Sequence, residues 1–153
     1  MKKISFVLLS MILVLTLTGC GSDKITSSTC TTTSDGVTYT YKYSATNDEI
    51  DKIEMVLVFD NSTFGVDSLD ILTTDQKEQI KTNMLNTLGL DSSNYEGFSV
   101  NIDIQDKMTV TVVADLTTAD SEVLNKIGLD FSNTDMSLKN AVKDMEESGA
   151  VCE

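Results

Sequence analysis

Hydrophobic and polar residues alternate along most of the chain, and this alternation predicts a set of β-strands. A period of two residues is typical of strands that bury one face, and it occurs in four segments, residues 37–43, 53–59, 98–104 and 108–114. A short Thr-rich segment, Thr29–Thr33, precedes them as a fifth candidate. The polar turn sequences between strands are Asp35-Gly36, Asn47-Asp48-Glu49 and Asp106-Lys107. The first three strands are therefore expected to form an antiparallel meander.

Apolar residues recur every three or four positions in three other segments, and this spacing predicts helices. The first helix is expected to begin at Thr73 or the next residue and to end before Gly89. Its apolar stripe comprises Ile80, Met84, Leu85 and Leu88. A short helix covers about residues 119–127, and a last helix begins at Ser137 and ends at Gly149. The apolar face of that last helix comprises Leu138, Ala141, Val142 and Met145.

The predicted order of elements, βββ-α-ββ-α-α, indicates an α+β fold. Most strands carry polar residues on one face, and the longer helices carry one apolar stripe. Helices are therefore expected to pack on one face of an antiparallel sheet. The opposite face, which includes Thr38, Thr40 and Lys42, is expected to contact water.

The first 19 residues have the pattern of a secretory signal peptide. Met1-Lys2-Lys3 is a positive head, and residues 4–17 are apolar except for two serines and one threonine. This run is shorter than the ~20 residues of a transmembrane helix, although an uncleaved membrane anchor is the alternative. The segment Leu17-Thr18-Gly19-Cys20 resembles the bacterial lipobox. That resemblance implies that the Cys20 thiol receives a diacylglyceryl group and that Cys20 becomes the mature N-terminus.

The N-terminal pattern divides the chain into three parts. Residues 1–19 are the expected lipoprotein signal peptide, residues 20–28 a lipidated tether, and residues 29–153 a single α+β domain. Two acyl chains on one Cys give stable attachment to a bilayer. The mature protein is therefore expected at a bacterial cell membrane, anchored through diacylglyceryl-Cys20 on the extracytoplasmic face.

Composition excludes several kinds of chemistry. The chain has no His, Arg, Trp or Pro, and its 11 positive residues, all Lys, face 24 acidic residues. Without His there is no imidazole base or metal ligand, and without Arg no bidentate grip on phosphate. Loss of Lys2 and Lys3 with the leader takes the net charge from −13 to about −15. Such a charge opposes binding to nucleic acid, which requires clustered basic residues.

Four features of the chain occur together. They are the lipobox, the turn from Gly36 and Val37 into Thr38-Tyr39-Thr40-Tyr41, the segment Gly128-Leu129-Asp130-Phe131-Ser132, and the final helix from Ser137-Leu138-Lys139 to Gly149. Together they resemble the YehR-type family of small bacterial lipoproteins. The resemblance covers nearly all of the mature chain and implies a lipid-anchored α+β domain. It implies no active site, since its motifs are turns and caps.

Two cysteines are candidates for a disulfide that closes almost the whole domain. Cys30 lies in the first strand candidate, and Cys152 is the next-to-last residue. A disulfide is stable outside the cytosol, and loop-closure entropy would contribute about 4–5 kcal/mol. Glu146 and Glu147 oppose the helix dipole in the last turn of the final helix, so a bond at Cys152 would hold an end that otherwise frays. Two unpaired thiols are the alternative.

An acidic loop follows the third strand and is expected to be solvated. Asp60, Ser62 and Gly65 match positions 1, 3 and 6 of a calcium-binding loop. Phe64 and Ile71 occupy positions 5 and 12, where ligands are required. No metal site is therefore predicted, and loose binding of a divalent cation is the alternative. The carboxylates in question are Asp60, Asp67, Asp70 and Asp75.

Tyr39, Tyr41 and Tyr43 share one strand face with Val37. The simpler interpretation is that this face packs under the helices, with each hydroxyl at the edge. The alternative is an aromatic ladder that binds a glycan or a peptide.

These patterns favour a lipid-anchored extracytoplasmic interaction module of the cell envelope, whose partner is an unknown envelope protein or a small ligand. The alternative function is a small-ligand-binding or divalent-cation-binding lipoprotein that serves a transporter. No enzyme activity and no cofactor are predicted. The serines lack a His base, and 24 acidic residues place carboxylates near one another by chance.

Overall fold

Within residues 23–91, 93–126 and 136–153, which the computed structural model describes, seven antiparallel strands form one sheet. The strands are β1 (Ile25–Ser34), β2 (Val37–Thr46), β3 (Glu49–Phe59), β4 (Asn94–Tyr95), β5 (Phe98–Ile104), β6 (Met108–Asp115) and β7 (Val151–Cys152). Their order across the sheet is β4-β5-β6-β3-β2-β1-β7. The helices are α1 (Thr74–Thr87), α2 (Ser121–Lys126) and α3 (Leu138–Glu147), with short 3-10 helices at Asn61–Phe64 and Leu69–Ile71.

The register of the strands places their alternating apolar residues on one face. A single row across the sheet runs through Cys30, Tyr41, Met55, Val112 and Val100, which pair with one another in that order. Because side chains alternate with a period of two, fixing one such row fixes the face of every other residue. The alternating residues of β5 and β6 that the sequence predicts to be buried are between 1% and 7% exposed.

The helices cover this apolar face in two clusters of the described residues. The first cluster lies over β5, β6 and part of β3, and α1 and α2 contribute side chains to it. The second lies over β1 and β2, and α3 packs on it through Leu138, Ala141, Val142 and Met145. The α+β fold with helices on one face of an antiparallel sheet is thereby confirmed.

Turn and cap residues act where the sequence predicts. Asp35 and Gly36 both have positive φ, 51° and 76°, as the tight turn between two antiparallel strands requires. Thr73 caps α1, and the Gln76 side chain accepts a hydrogen bond from the Thr73 backbone N–H in return. Both long helices end in the double hydrogen bond of a Schellman motif, around Gly89 and Gly149.

Threonines and a lysine line the other face of the sheet, where no described helix packs. Thr31 and Thr40 hydroxyls lie 3.4 Å apart, and Thr33 and Thr38 hydroxyls 3.2 Å apart. Lys42 donates to Glu54 at 2.7 Å on the same face. These cross-strand pairs agree with the predicted water-facing side.

The start of β1 differs from the prediction. The strand begins at Ile25 rather than at Thr29, so residues 25–28, assigned from the sequence to the tether, pair with β2. Residues 25–28 show no alternation of apolar and polar residues, because Thr and Ser lie on both faces of the strand there. Pairing with the long neighbouring strand β2 holds them in the sheet instead.

The short strands β4 and β7 were not predicted, because two residues carry no periodic signal. The predicted signal peptide, Cys20, and the predicted end of the second helix at Ile127 and Gly128 lie outside the described residues. Within the described part of the chain, every helix is too short or too polar to cross a bilayer.

Candidate functional site

A pocket of about 760 Å³ opens at the end of the sheet where β2 turns into β3 and where β6 ends. Pockets of about 300–1,000 Å³ are typical of small-ligand sites. The described residues that line it are Asp23, Thr46, Asn47, Glu49, Ile50, Asp51, Leu116, Thr117, Ala119, Ser121, Leu124, Asn125 and Met136. They come from four places in the chain, so the fold assembles the pocket.

A β-bulge at the start of β3 forms the floor of the pocket. Ala45 pairs with Ile50 and Ser44 pairs with Lys52, which leaves Asp51 as an extra residue. The bulge places Ile50 rather than Asp51 opposite the fully buried Ala45, and Ile50 is 6% exposed. The Asp51 carboxylate instead accepts a hydrogen bond from the Thr46 hydroxyl at 2.6 Å.

The first described residues are fastened to the turn between β2 and β3. Asn47 and Asp48 both have positive φ, 54° and 73°. The Asn47 side chain donates to the Asp23 carboxylate at 2.9 Å and accepts from the Lys24 backbone N–H at 3.1 Å. Asp23 and Lys24 are therefore held at the edge of the pocket.

The same turn holds the start of α3. The Asp48 carboxylate accepts hydrogen bonds from the Ser137 hydroxyl at 2.7 Å and from the Lys139 backbone N–H at 3.1 Å. The backbone N–H of Ile50 donates to the carbonyl of Met136 at 2.8 Å. A carboxylate at a helix N-terminus is favourable for the helix dipole. One wall of the pocket is thus fixed to its floor by charge and backbone hydrogen bonds.

The opposite wall is the loop from β6 to α2. The backbone N–H of Leu116 donates to the Asp51 carbonyl at 2.8 Å, which joins this loop to the bulge. Gly97, with φ of 66°, lies so close beneath the loop that a Cβ atom there would be 2.4 Å from the Ala119 nitrogen. Glycine is therefore required at this position for the loop to reach its place.

The pocket combines an apolar floor with an acidic edge. Its apolar lining side chains are Ile50, Leu116, Ala119, Leu124 and Met136. Three of the described lining residues, Asp23, Glu49 and Asp51, carry carboxylates, and none of the described lining residues is a lysine. The site therefore offers hydrogen-bond acceptors and negative charge beside apolar surface.

A further carboxylate, Asp115, lies beside the pocket next to Leu116. Hydrogen bonds from the Thr117 hydroxyl and the Thr117 backbone N–H, with a smaller contribution from Lys52, hold the pKa of Asp115 below its ordinary value. Asp115 therefore keeps its negative charge to lower pH than a free aspartate.

The two cysteines that the sequence offers as a disulfide are brought together. Cys30 on β1 pairs with Cys152 on β7, and the structure joins their sulfur atoms. The adjacent residues Thr29 and Glu153 exchange both backbone hydrogen bonds, at 2.9 and 2.8 Å. Cys30 is fully buried in the cluster under α3. Neither of these two cysteines is among the lining residues of the pocket, and Cys20 lies outside the described residues.

The acidic loop after β3 makes ion pairs with lysines. Asp60 lies 3.1 Å from Lys107, and Asp70 lies 3.9 Å from Lys77. Gly65 closes a 3-10 helix in a left-handed conformation rather than a metal loop. Among the described residues, no three acidic or Cys side chains lie close enough together to hold a metal ion.

Two of the three tyrosines of β2, Tyr41 and Tyr43, pack under the helices as the simpler interpretation predicts, whereas Tyr39 belongs to neither cluster of the described residues. Tyr43 is 8% exposed within the cluster under α3, and Tyr41 packs against the same cluster. Their rings stack with centroids 6.4 Å apart. Burial, with a smaller contribution from the neighbouring tyrosine, raises the pKa of both hydroxyls.

Sequence reasoning identified the turn at Asn47-Asp48 but not the pocket beside it. One signal was present in the sequence. Ile50 and Ile53 are both apolar but three residues apart, which breaks the strict alternation of β3 and indicates a bulge. Leu116, Thr117 and Ala119 carry no comparable signal, because a loop gives no periodic pattern.

Two solved structures are similar to this chain. The NMR structure of the E. coli protein YehR aligns with a TM-score of 0.62 at 14% identity, covering 85% of this chain and 91% of YehR. An NMR structure of a protein from Streptococcus pneumoniae TIGR4 aligns with a TM-score of 0.57 at 14% identity, covering 100% and 98% of the two chains. No protein-family model and no curated protein matches the sequence. At this identity the likeness concerns the fold, and the fold of this chain is YehR-like.

Proposed function

We propose that the protein is a lipid-anchored binding module on the extracytoplasmic face of a bacterial membrane, and that it is a lipoprotein of the YehR type. The leader, the lipobox and Cys20 support the anchor. The YehR-like fold agrees with this proposal. The pocket at the end of the sheet is the binding site, and the protein acts by binding rather than by catalysis.

The disulfide supports the location by an argument that does not use the leader. Cys30 and Cys152 are 122 residues apart in sequence and are joined in the sheet. Disulfides persist in oxidising compartments outside the cytosol and are rare within it. The lipobox and the disulfide therefore independently favour the same location, outside the cytosol.

The observation that carries the proposal is the position of the pocket relative to the anchor. Asp23 lines the pocket and is only three residues from Cys20. Three residues span at most about 10 Å when extended. If Cys20 carries lipid, the pocket lies at the membrane surface, where it meets either the exposed part of an envelope protein or a small molecule held near the bilayer.

A transporter-associated ligand carrier is the second candidate. The pocket volume of about 760 Å³ supports it, because it lies within the range typical of small-molecule sites. Cross-linking in cells separates the two candidates.

Cross-linking in cells tests the proposal. A photoreactive residue replaces Asn125 at the pocket edge, and the matched control replaces Asn101, an exposed residue on the open face of the sheet. One envelope protein captured in stoichiometric amount from position 125 but not from 101 supports the interaction module. A low-mass adduct at position 125 supports the ligand carrier. Equal capture from both positions, or capture of cytosolic proteins, contradicts the proposal.

A further inference from the structure

We propose that the pocket binds a primary ammonium group attached to an apolar stem. This proposal deepens the proposed function by naming the ligand class of the same site. It rests on the lining of the pocket, and the membrane anchor enters only where the source of the amine is decided.

The charge of the lining selects a cation over an anion or a neutral ligand. Asp23, Glu49 and Asp51 lie along the pocket, and no described lining residue carries a positive charge. Lys24 and Lys52 directly follow Asp23 and Asp51 in the chain but do not line the pocket. A ligand with one positive charge and N–H donors is attracted to a lining that carries carboxylates and no lysine.

The floor of the pocket selects an organic cation over a metal ion. Ile50 and Leu124 are 6% and 7% exposed, and Leu116 and Met136 pack beside them. A hydrated metal ion gains nothing from such side chains, whereas an alkyl stem gains about 0.8 kcal/mol for each CH₂ that it buries. The described residues also contain no group of ligands close enough for a metal ion.

Hydrogen bonds hold three parts of the pocket lining in place. The Asn47 side chain holds Asp23, the Asp48 carboxylate holds the start of α3, and the Asp51 carbonyl holds the loop at Leu116. Preorganised walls lower the entropy lost on binding. The carboxylates of Asp23 and Asp51, which accept from Asn47 and Thr46, are therefore in place before a ligand arrives.

Two sources supply this chemistry at the membrane surface. One is a soluble amine in the envelope, and the other is the ethanolamine headgroup of a bilayer lipid. The short distance from Asp23 to Cys20 brings the pocket within reach of headgroups as well as of solutes. The experiment separates the two sources.

The test uses three probes with one stem: butylamine, butanol and butyrate. The mature lipidated chain is placed in phosphatidylglycerol nanodiscs, and binding is followed by NMR of the methyl groups of Ile50, Leu116, Leu124 and Met136. We expect butylamine to bind about tenfold more tightly than butanol and butyrate to bind most weakly. Equal affinity for butylamine and butanol, or methyl shifts remote from these residues, would overturn the proposal.

A matched pair of variants separates the pocket from the overall negative charge. Glu49→Gln removes one carboxylate from the lining, and Glu78→Gln makes the same change on α1, which does not line the pocket. We expect Glu49→Gln to weaken butylamine binding about fivefold and Glu78→Gln to leave it unchanged. Equal weakening in both variants means that the amine only neutralises a −15 surface, and the proposal fails.

Nanodiscs of phosphatidylethanolamine and of phosphatidylcholine identify the source, because both lipids are zwitterionic and only the first carries a primary ammonium. Butylamine binding that is weaker in phosphatidylethanolamine than in phosphatidylcholine shows competition by the lipid headgroup, and equal binding in both assigns the site to soluble amines. Either result supports the ammonium site. Lipid on Cys20 is measured independently by mass, so a chain that binds butylamine but lacks lipid refutes the anchor and not the ligand.

Discussion

Reduction of the disulfide between Cys30 and Cys152 is expected to remove a large part of the stability of the domain. The bond joins β1 to β7 across 122 residues of sequence. Reduction leaves both sulfur atoms in place, so the buried volume around Cys30 changes little. The perturbation therefore acts mainly on the unfolded state, which gains the freedom of an open chain.

The loss of unfolding free energy on reduction follows from the chain-entropy relation. For a loop of 122 residues it predicts a loss of about 5 kcal/mol at 25 °C. With a urea m-value of about 2 kcal/mol/M, the unfolding midpoint falls by roughly 2.5 M. A domain of this size should lose roughly 15 °C or more in Tm.

Urea unfolding of the mature chain with Cys20→Ser, with and without reductant, measures this loss. The Cys20 change removes the third thiol. A variant that also carries Cys30→Ala and Cys152→Ala is the control, since reductant should not change its midpoint. A loss of less than about 1 kcal/mol on reduction would refute the loop-closure argument.

Three further predictions concern the local structure. Gly97→Ala should cost about 3 kcal/mol in urea unfolding, because its Cβ would lie 2.4 Å from the Ala119 nitrogen and its φ is 66°. Thr73→Ala should cost about 1 kcal/mol in the same assay, because it removes the capping hydrogen bond to Gln76. Stability should fall as the pH rises from 10.0 through the raised pKa of Tyr43, because the unfolded state releases that proton first. Urea midpoints measured between pH 9 and 11 check this loss of stability.

Each of these predictions has a matched control. Gly89→Ala, at φ of 70° with no atom within 4 Å of the new Cβ, should cost only about 1 kcal/mol. Equal costs at Gly97 and Gly89 would contradict the close contact with the loop. Thr73→Ser should retain the cap, and a loss as large as that of Thr73→Ala would argue against it. Tyr43→Phe should flatten the alkaline loss, and an unchanged slope would show that other groups cause it.

Periodic segments are the part of the fold that the sequence predicts well. Buried residues of β5 and β6 alternate with more exposed, mostly polar ones, and α1 has both a cap at Thr73 and a stop at Gly89, so pattern and local chemistry agree. Asp35-Gly36 likewise specifies its turn, because few other pairs adopt two positive φ angles.

Segments held in the sheet by long-range pairing cannot be predicted from local sequence patterns. Residues 25–28 are in the sheet because they pair with β2, and β7 is in the sheet because it pairs with Cys30 and Thr31. No local pattern reveals these neighbours. The pocket depends on the same kind of information. Its walls meet because Asp51 bonds to Leu116 and Asp48 bonds to the start of α3, contacts that join residues 65 or more positions apart.

Mass spectrometry of the N-terminal peptide, taken from protein isolated from its own membrane, determines whether the chain is anchored through lipid on Cys20. We expect the peptide to begin at Cys20 and to carry a diacylglyceryl group on its sulfur, and we expect a Cys20→Ala chain no longer to remain with the bilayer. A peptide that retains residues 1–19, or one that begins at Cys20 with a free thiol, would contradict the proposed lipid anchor.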